Sequence, residues 1–188
     1  MAQGAEAQAF PEGAIYTVGH STLPIDSFID LLRVYGIELL ADVRTVPRSR
    51  YNPQFNSDAL AQSLKQAGIE YLAMPGLGGL RRPRKDSPNT GWRNESFRGY
   101  ADYMQTPAFA TALKALIDTS RGKRAAIMCA EAVPWRCHRS LVADALNARG
   151  IPAVEILSAD SHRLHQLTSF AKVRGTTVTY PPDQATLF

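Results

Sequence analysis

Cysteine is scarce: the 188 residues contain two, Cys129 and Cys137. Two thiols close at most one bridge, which excludes a disulfide framework, and reduced thiols in a reducing compartment are expected. Long apolar runs are missing too. No stretch approaches the roughly 18–20 residues of a membrane helix, and the opening MAQGAE has no targeting character. A cytoplasmic protein without membrane partners is the expectation. Internal repeats, low-complexity tracts and a composition break are also lacking, which predicts one domain over residues 14–180, between a flexible segment 1–13 and a tail 181–188.

What is present alternates. The formal charge of +4 permits a polyanionic partner. From Arg81 to Arg98, RRPRKDSPNTGWRNESFR sets six basic side chains against two acidic ones, reading as a mobile cationic loop, either solvated or in contact with phosphate. Apolar runs are separated by stretches of helical period. AIYTVGHS precedes a helix with Phe28, Leu31, Leu32 and Tyr35 on one face. IELLADVR leads through a proline-broken loop to a helix capped by Asn56 or Ser57 and stopped at Gly68. IEYLAMPGLGGL is a third run, followed beyond the basic loop by one helix or two divided near Thr106 and Pro107. RAAIMCA, a helix ending at Gly150, and IPAVEIL complete the series. The pattern predicts an α/β class: a mostly parallel five-stranded sheet with helices on both faces, a Rossmann-like or rhodanese-like three-layer sandwich. Thr176–Tyr180 reads as a short β piece. His162 and His165, three apart, read as surface residues on a helical segment.

In such sheets ligands gather at the carboxyl ends of the strands, where loops and helix N-termini converge. His20 and Ser21 follow the first run, Asp42 and Arg44 end the second, and Cys129 and Glu131 end the fourth. Cys129 is the candidate nucleophile, because a thiol between a strand and a helix meets donors and cations that lower its pKa. His138 or His20 is the proton carrier, with Glu131 and Asp42 as orienting carboxylates or bases. Arg44 and Arg139 read as an anion clamp, Arg139 sitting where a helix dipole favours anions. Ser21, Arg48, Ser49 and Cys137 complete the substrate-binding set. Arg48, Ser49, Arg50 and Tyr51, with Trp92 and Phe97, suggest a basic and aromatic rim for phosphates and stacked bases. Phosphatase chemistry is disfavoured, since the first arginine after Cys129 is Arg136, too distant to wrap a phosphate, and Glu131 repels anions. A buried, inert Cys129 is the plain alternative. No cofactor is expected. Zinc stays an alternative through Cys129, Cys137, His138 and His20, although the gap between the cysteines is unlike the Cys-x-x-Cys knuckle, and a redox pair also stays open.

Five motifs, TVGHS, ADVRTVPRSR, YLAMPGLGG, FRGYADYM and MCAEAVPWRCHR, resemble in order and spacing the family catalogued as domain of unknown function 488, over Ile15 to about Leu157. The resemblance implies a cytoplasmic α/β protein with a site near His20, Asp42, Arg44, Cys129, Glu131, Cys137, His138 and Arg139. Glu155 departs from it, standing where the family pattern favours a histidine after the fifth strand. The closing QATLF is similar to peptides that dock on the DNA sliding clamp, with Leu187 and Phe188 entering an apolar pocket and Gln184 making polar contacts. Folding back onto its own domain is the alternative. Together these readings suggest an enzyme of nucleic-acid or nucleotide processing, in DNA repair or base modification, with a cysteine-centred site. Its rivals are a rhodanese-like sulfur carrier and a non-enzymatic nucleic-acid-binding adaptor recruited by the tail.

Overall fold

Alternation along each apolar run decides which side chains meet. In the computed structural model, which describes residues 10–182, β1 (Ile15–Gly19), β2 (Leu39–Asp42), β3 (Glu70–Ala73), β4 (Ala125–Cys129) and β5 (Ala153–Ile156) pair in parallel in the order β3-β2-β4-β1-β5. Tyr16, Val18, Leu40, Met128 and Val154 face one core, whereas Ile15, Ala41 and Ile127 face the other, as the two-residue repeat of a strand requires. Helices α1 (Ile25–Val34) and α2 (Ser57–Gln66) cover the first face with Phe28, Leu32, Leu60 and Leu64. Helices α3 (Glu95–Tyr103), α4 (Pro107–Thr119) and α5 (Arg139–Asn147) cover the second with Tyr100, Phe109, Leu113, Leu141 and Val142. The three-layer α/β fold follows. Between α3 and α4, the Thr106 hydroxyl accepts from the Phe109 amide, and Pro107 occupies a first turn where no amide donor is needed.

Connectivity locates a crevice. The chain leaves β1 through α1 for β2 on one side, and leaves β4 through α5 for β5 on the other. Because β1 and β4 are neighbours, with Gly19 paired to Cys129, the loops diverge there and open a hollow at the strand ends. Gly19 closes the seam beneath it: a Cβ at this position would stand 2.0 Å from the Glu131 carbonyl oxygen, so only glycine permits this approach.

Several expectations change. A sixth strand, β6 (His162–Leu164), runs antiparallel to β5 at the sheet edge, so the sheet has six strands and the segment read as helical is extended. His165 is buried rather than on the surface. Its Nδ1 lies 2.7 Å from Glu155 Oε1 and its Nε2 lies 2.8 Å from Asp144 Oδ1. Burial pulls its pKa down, but these two carboxylates outweigh burial and raise it to about 9. Asp144 also accepts from Thr168 and from the Tyr180 hydroxyl.

The β piece near residue 176 is half of a hairpin, β7 (Lys172–Arg174) with β8 (Thr177–Thr179), turning at Gly175 with φ +59°. Phe10 packs on Tyr16, Tyr35 and His162, so the body begins before residue 14. The basic segment is tied down where a mobile loop was expected. Asp102 accepts from Arg84 N, Ser87 Oγ and Asn89 Nδ2, while Asn89 Oδ1 accepts from Tyr180 N. Gln184, Leu187 and Phe188 lie outside the described residues. Among those described, no helix is long and apolar enough to cross a membrane.

Candidate active site

The crevice holds a cavity of about 630 Å³, within the size range of small-molecule sites. His20, Ser21 and Thr22 line it beyond β1, and Arg44, Val46, Arg48, Ser49 and Asn52 beyond β2. Gly79 and Leu80 come from the loop after β3, and Ser96, Phe97 and Tyr100 from α3. Cys129 and Glu131 leave β4, while Arg136, Cys137 and His138 lead into α5. Of the expected catalytic and substrate-binding residues, Asp42 and Arg139 do not line the hollow, nor do Arg50, Tyr51 and Trp92 of the expected rim; Asp42 and Arg139 are buried. Both stand behind it.

Cys137 and His138 stand side by side in its wall. His138 Nε2 lies 3.1 Å from the Val43 carbonyl, and a carbonyl only accepts, so this nitrogen carries a proton. Nδ1 is thereby turned toward Cys137 Sγ, 3.7 Å away. Gly79 leaves room for the ring, since a Cβ there would come within 3.0 Å of Nδ1. The hydrogen bond from Cys129, aided by His138 and the Arg139 charge, holds the Cys137 thiol well below its ordinary range, although burial opposes this. Cys129 is pushed the other way by the same shared hydrogen bond and by burial. Of the two thiols, Cys137 rather than Cys129 is the one its surroundings favour as thiolate. Its place just before α5 adds the positive end of the helix dipole.

Asp42, Arg44 and His20 make a second unit. Arg44 Nε and Nη2 donate to the two Asp42 oxygens at 2.8 and 2.6 Å, and Nη2 also donates to the Phe55 carbonyl at 2.8 Å. Tyr71 donates its hydroxyl proton to Asp42 as well, at 2.8 Å. Asp42 is thus committed to orienting Arg44. His20 donates from Nδ1 to the Ser21 carbonyl at 2.8 Å, leaving Nε2 to accept from Arg44 Nη1 at 3.2 Å. Burial, reinforced by the Arg44 charge, lowers its pKa to about 4. Stacked on Phe55 with ring centroids 4.0 Å apart, His20 is neutral at pH 7 with both nitrogens engaged. It steadies Arg44 instead of carrying protons.

Arg139 is sealed from solvent. Its Nη2 donates to the Glu131 carbonyl, its Nη1 reaches Thr17 Oγ1 at 3.4 Å, and its Nε has no partner among the described residues. It braces the loop between the cysteines and does not reach the hollow, whose lining arginines are Arg44, Arg48 and Arg136. Glu131 is exposed, its carboxylate accepting from the Val133 amide. Asn56 precedes α2, but its side chain accepts from the Ser49 amide at 2.7 Å and leaves the helix uncapped. The residue expected to cap α2 therefore shapes the 45–52 loop.

Cys129, Cys137 and His138 also present ligand atoms within 4.8 Å of one another. Two sulfurs and an imidazole suit a soft cation such as zinc, and a His138 proton fixed on a carbonyl is a common outer contact of such ligands. His20, the fourth ligand considered, is turned to Arg44. Asn52, Leu80, Tyr100 and Arg136 also line the hollow, and none was singled out for the site from sequence. For Leu80 a signal was present, the Gly78-Gly79 pair before it, which lets the backbone come close.

The family model described as Domain of unknown function DUF488 matches residues 24–146, a span holding every lining residue from Arg44 to His138. No curated protein and no solved structure matches the chain.

Proposed function

Since the chain belongs to the family described as domain of unknown function DUF488, whose description assigns no reaction, we propose from its pocket that it is an enzyme of nucleic-acid or nucleotide processing with Cys137 as nucleophile. One observation carries this reading: the Cys137–His138 pair opens into a cavity walled by Arg44, Arg48 and Arg136, with Phe97 and Tyr100 as aromatic walls. The cations suit a phosphate and the aromatic rings suit a base.

In the chemical step, His138 Nδ1 takes the Cys137 proton. The sulfur lone pair forms a bond to an electrophilic centre of the bound nucleotide, a bond from that centre to the leaving group breaks, and the imidazolium returns the proton to the departing atom. Water or an acceptor molecule then discharges the covalent intermediate, its proton passing back to His138. Cys129 stands beside the thiolate, its sulfur within 4.8 Å, and Arg44 is held toward the phosphate by Asp42 and His20.

The test is site-resolved alkylation by iodoacetamide across pH, read by mass spectrometry. Cys137 is expected to label below about pH 6, where an ordinary thiol of pKa about 8.5 hardly reacts, and His138→Gln is expected to shift that profile upward. Labelling only above about pH 8 would overturn the assignment. So would one equivalent of zinc in the purified protein that is lost in Cys129→Ser, which would make the trio a metal centre. On the substrate side, free nucleoside 5′-monophosphates are expected to bind, with affinity falling about 10-fold or more in the Arg48→Ala/Arg136→Ala double variant.

A further inference from the structure

The mouth of the hollow carries bare apolar side chains where a folded surface ordinarily hides them. Leu80 lines it and is 79% exposed. Its backbone is left-handed at φ +56°, a conformation that is strained for a branched L-residue. Among the described residues nothing covers it. The preceding residue, Gly79, lies against the His138 ring, so the strained leucine sits one residue from the reactive pair. Tyr51, 90% exposed, falls between the lining residues Ser49 and Asn52, and Trp135, 58% exposed, adjoins the lining residue Arg136. The Arg163 guanidinium backs the Trp135 ring at 5.0 Å.

Cations share this rim. Of the lining residues Arg48 and Arg136 are exposed cations, with the exposed acid Glu131 among them and exposed Glu95 beside the lining residue Ser96. Inside, Phe97 is stacked on Trp92 with centroids 4.7 Å apart, forming a flat, rigid wall. A slot with an aromatic wall, a lip of apolar and aromatic residues and an arginine margin is what a base needs once it leaves a stacked strand. The phosphates it remains attached to need the arginines, and the gap left behind needs an apolar wedge.

We infer that the pocket receives one nucleotide swung out of a nucleic-acid duplex, with Leu80 as the wedge entering the vacated stack and Tyr51 and Trp135 lying against its neighbours. This rests on the reading of the pocket as a nucleotide site, but not on which atom of Cys137 chemistry is correct.

The experiment uses the full chain and short DNA and RNA duplexes carrying 2-aminopurine beside a central paired or mismatched base. Binding is followed by anisotropy, and unstacking by 2-aminopurine fluorescence. The wild type is expected to bind at low salt, weaken steeply as salt rises, and brighten at least one duplex. Which backbone responds distinguishes DNA from RNA. Leu80→Gly, whose left-handed backbone suits glycine, is expected to melt no lower than wild type and to lose most of the fluorescence rise per duplex bound, as removal of a wedge requires. Arg48→Ala and Arg136→Ala are expected to weaken duplex binding and flatten its salt slope by about one each. Duplex binding without brightening, or brightening unchanged in Leu80→Gly, overturns the inference. Free nucleotides that bind while duplexes do not would also overturn it and leave the nucleotide pocket standing. Failure of both would remove the two together.

Discussion

Helix α5 carries two histidine clusters, one at each end, and they differ in what the second ring nitrogen meets. Near its carboxyl half, Asp144 and Glu155 take both nitrogens of His165, and Thr168 and Tyr180 fill the remaining acceptor positions of Asp144. His165, Asp144 and Glu155 are buried and fully paired, Glu155 also accepting from the half-exposed Arg163, so the cluster holds the β6–hairpin region onto the helix. Before its first turn, His138 anchors one nitrogen on a carbonyl and turns the other to a thiol beside an open cavity. The same side chain is structural where its partners are complete, and chemically available where one partner is reactive and reachable.

Breaking the sealed cluster gives the largest effect. Asp144→Ala leaves a buried His165 cation and orphans Thr168 and Tyr180, at an expected cost of about 3–5 kcal/mol in denaturant unfolding. A loss below about 1 kcal/mol would make that cluster no more than decoration.

Next comes its pH dependence. The His165 pKa is raised to about 9 in the fold against 6.5 when free, so its stabilisation is complete below about pH 6.5, erodes as pH rises, and is gone above about 9, a loss on the order of 3 kcal/mol. His165→Phe is expected to flatten the slope of unfolding free energy between those limits, and an unchanged slope would place the effect elsewhere.

The seam between β1 and β4 offers a smaller test. Gly19→Ala forces the Glu131 backbone away and is expected to cost about 1–3 kcal/mol while slowing Cys137 alkylation at low pH. Normal labelling with normal stability would mean that the seam tolerates a methyl group. Smallest is Cys137→Ser, expected to leave stability within about 1 kcal/mol while removing the fast-labelling thiol. A large destabilisation would instead mark Cys137 as part of the core.

The parallel strands were legible because each is an apolar run that ends in a polar group, and those ends converge wherever βα units stack. Strand β6 was not. Three residues carry little periodicity, and the three-residue interval between His162 and His165 mimics a helix until the carboxylates of Asp144 and Glu155, contributed by other elements, come into view. The site was legible as a set of residues but not as roles. Cys129 ends the strand and so drew attention, yet Cys137 is the thiol set beside His138, whose orientation depends on the Val43 carbonyl far away in the chain. Arg139 is likewise indistinguishable from a ligand clamp until the Glu131 carbonyl and Thr17 are seen to enclose it.

The pairing of Asn89 with Tyr180 has a consequence for the order of assembly. Tyr180 N donates to the Asn89 side chain and Gly91 N donates to the Tyr180 carbonyl, so the segment that leads into the Phe97 wall is latched by residues made almost a hundred positions later. A chain emerging from the ribosome can raise its central sheet early. The wall beside Phe97 is finished only once Tyr180 has been made, so the hollow is the last part of the α/β body to take its final shape.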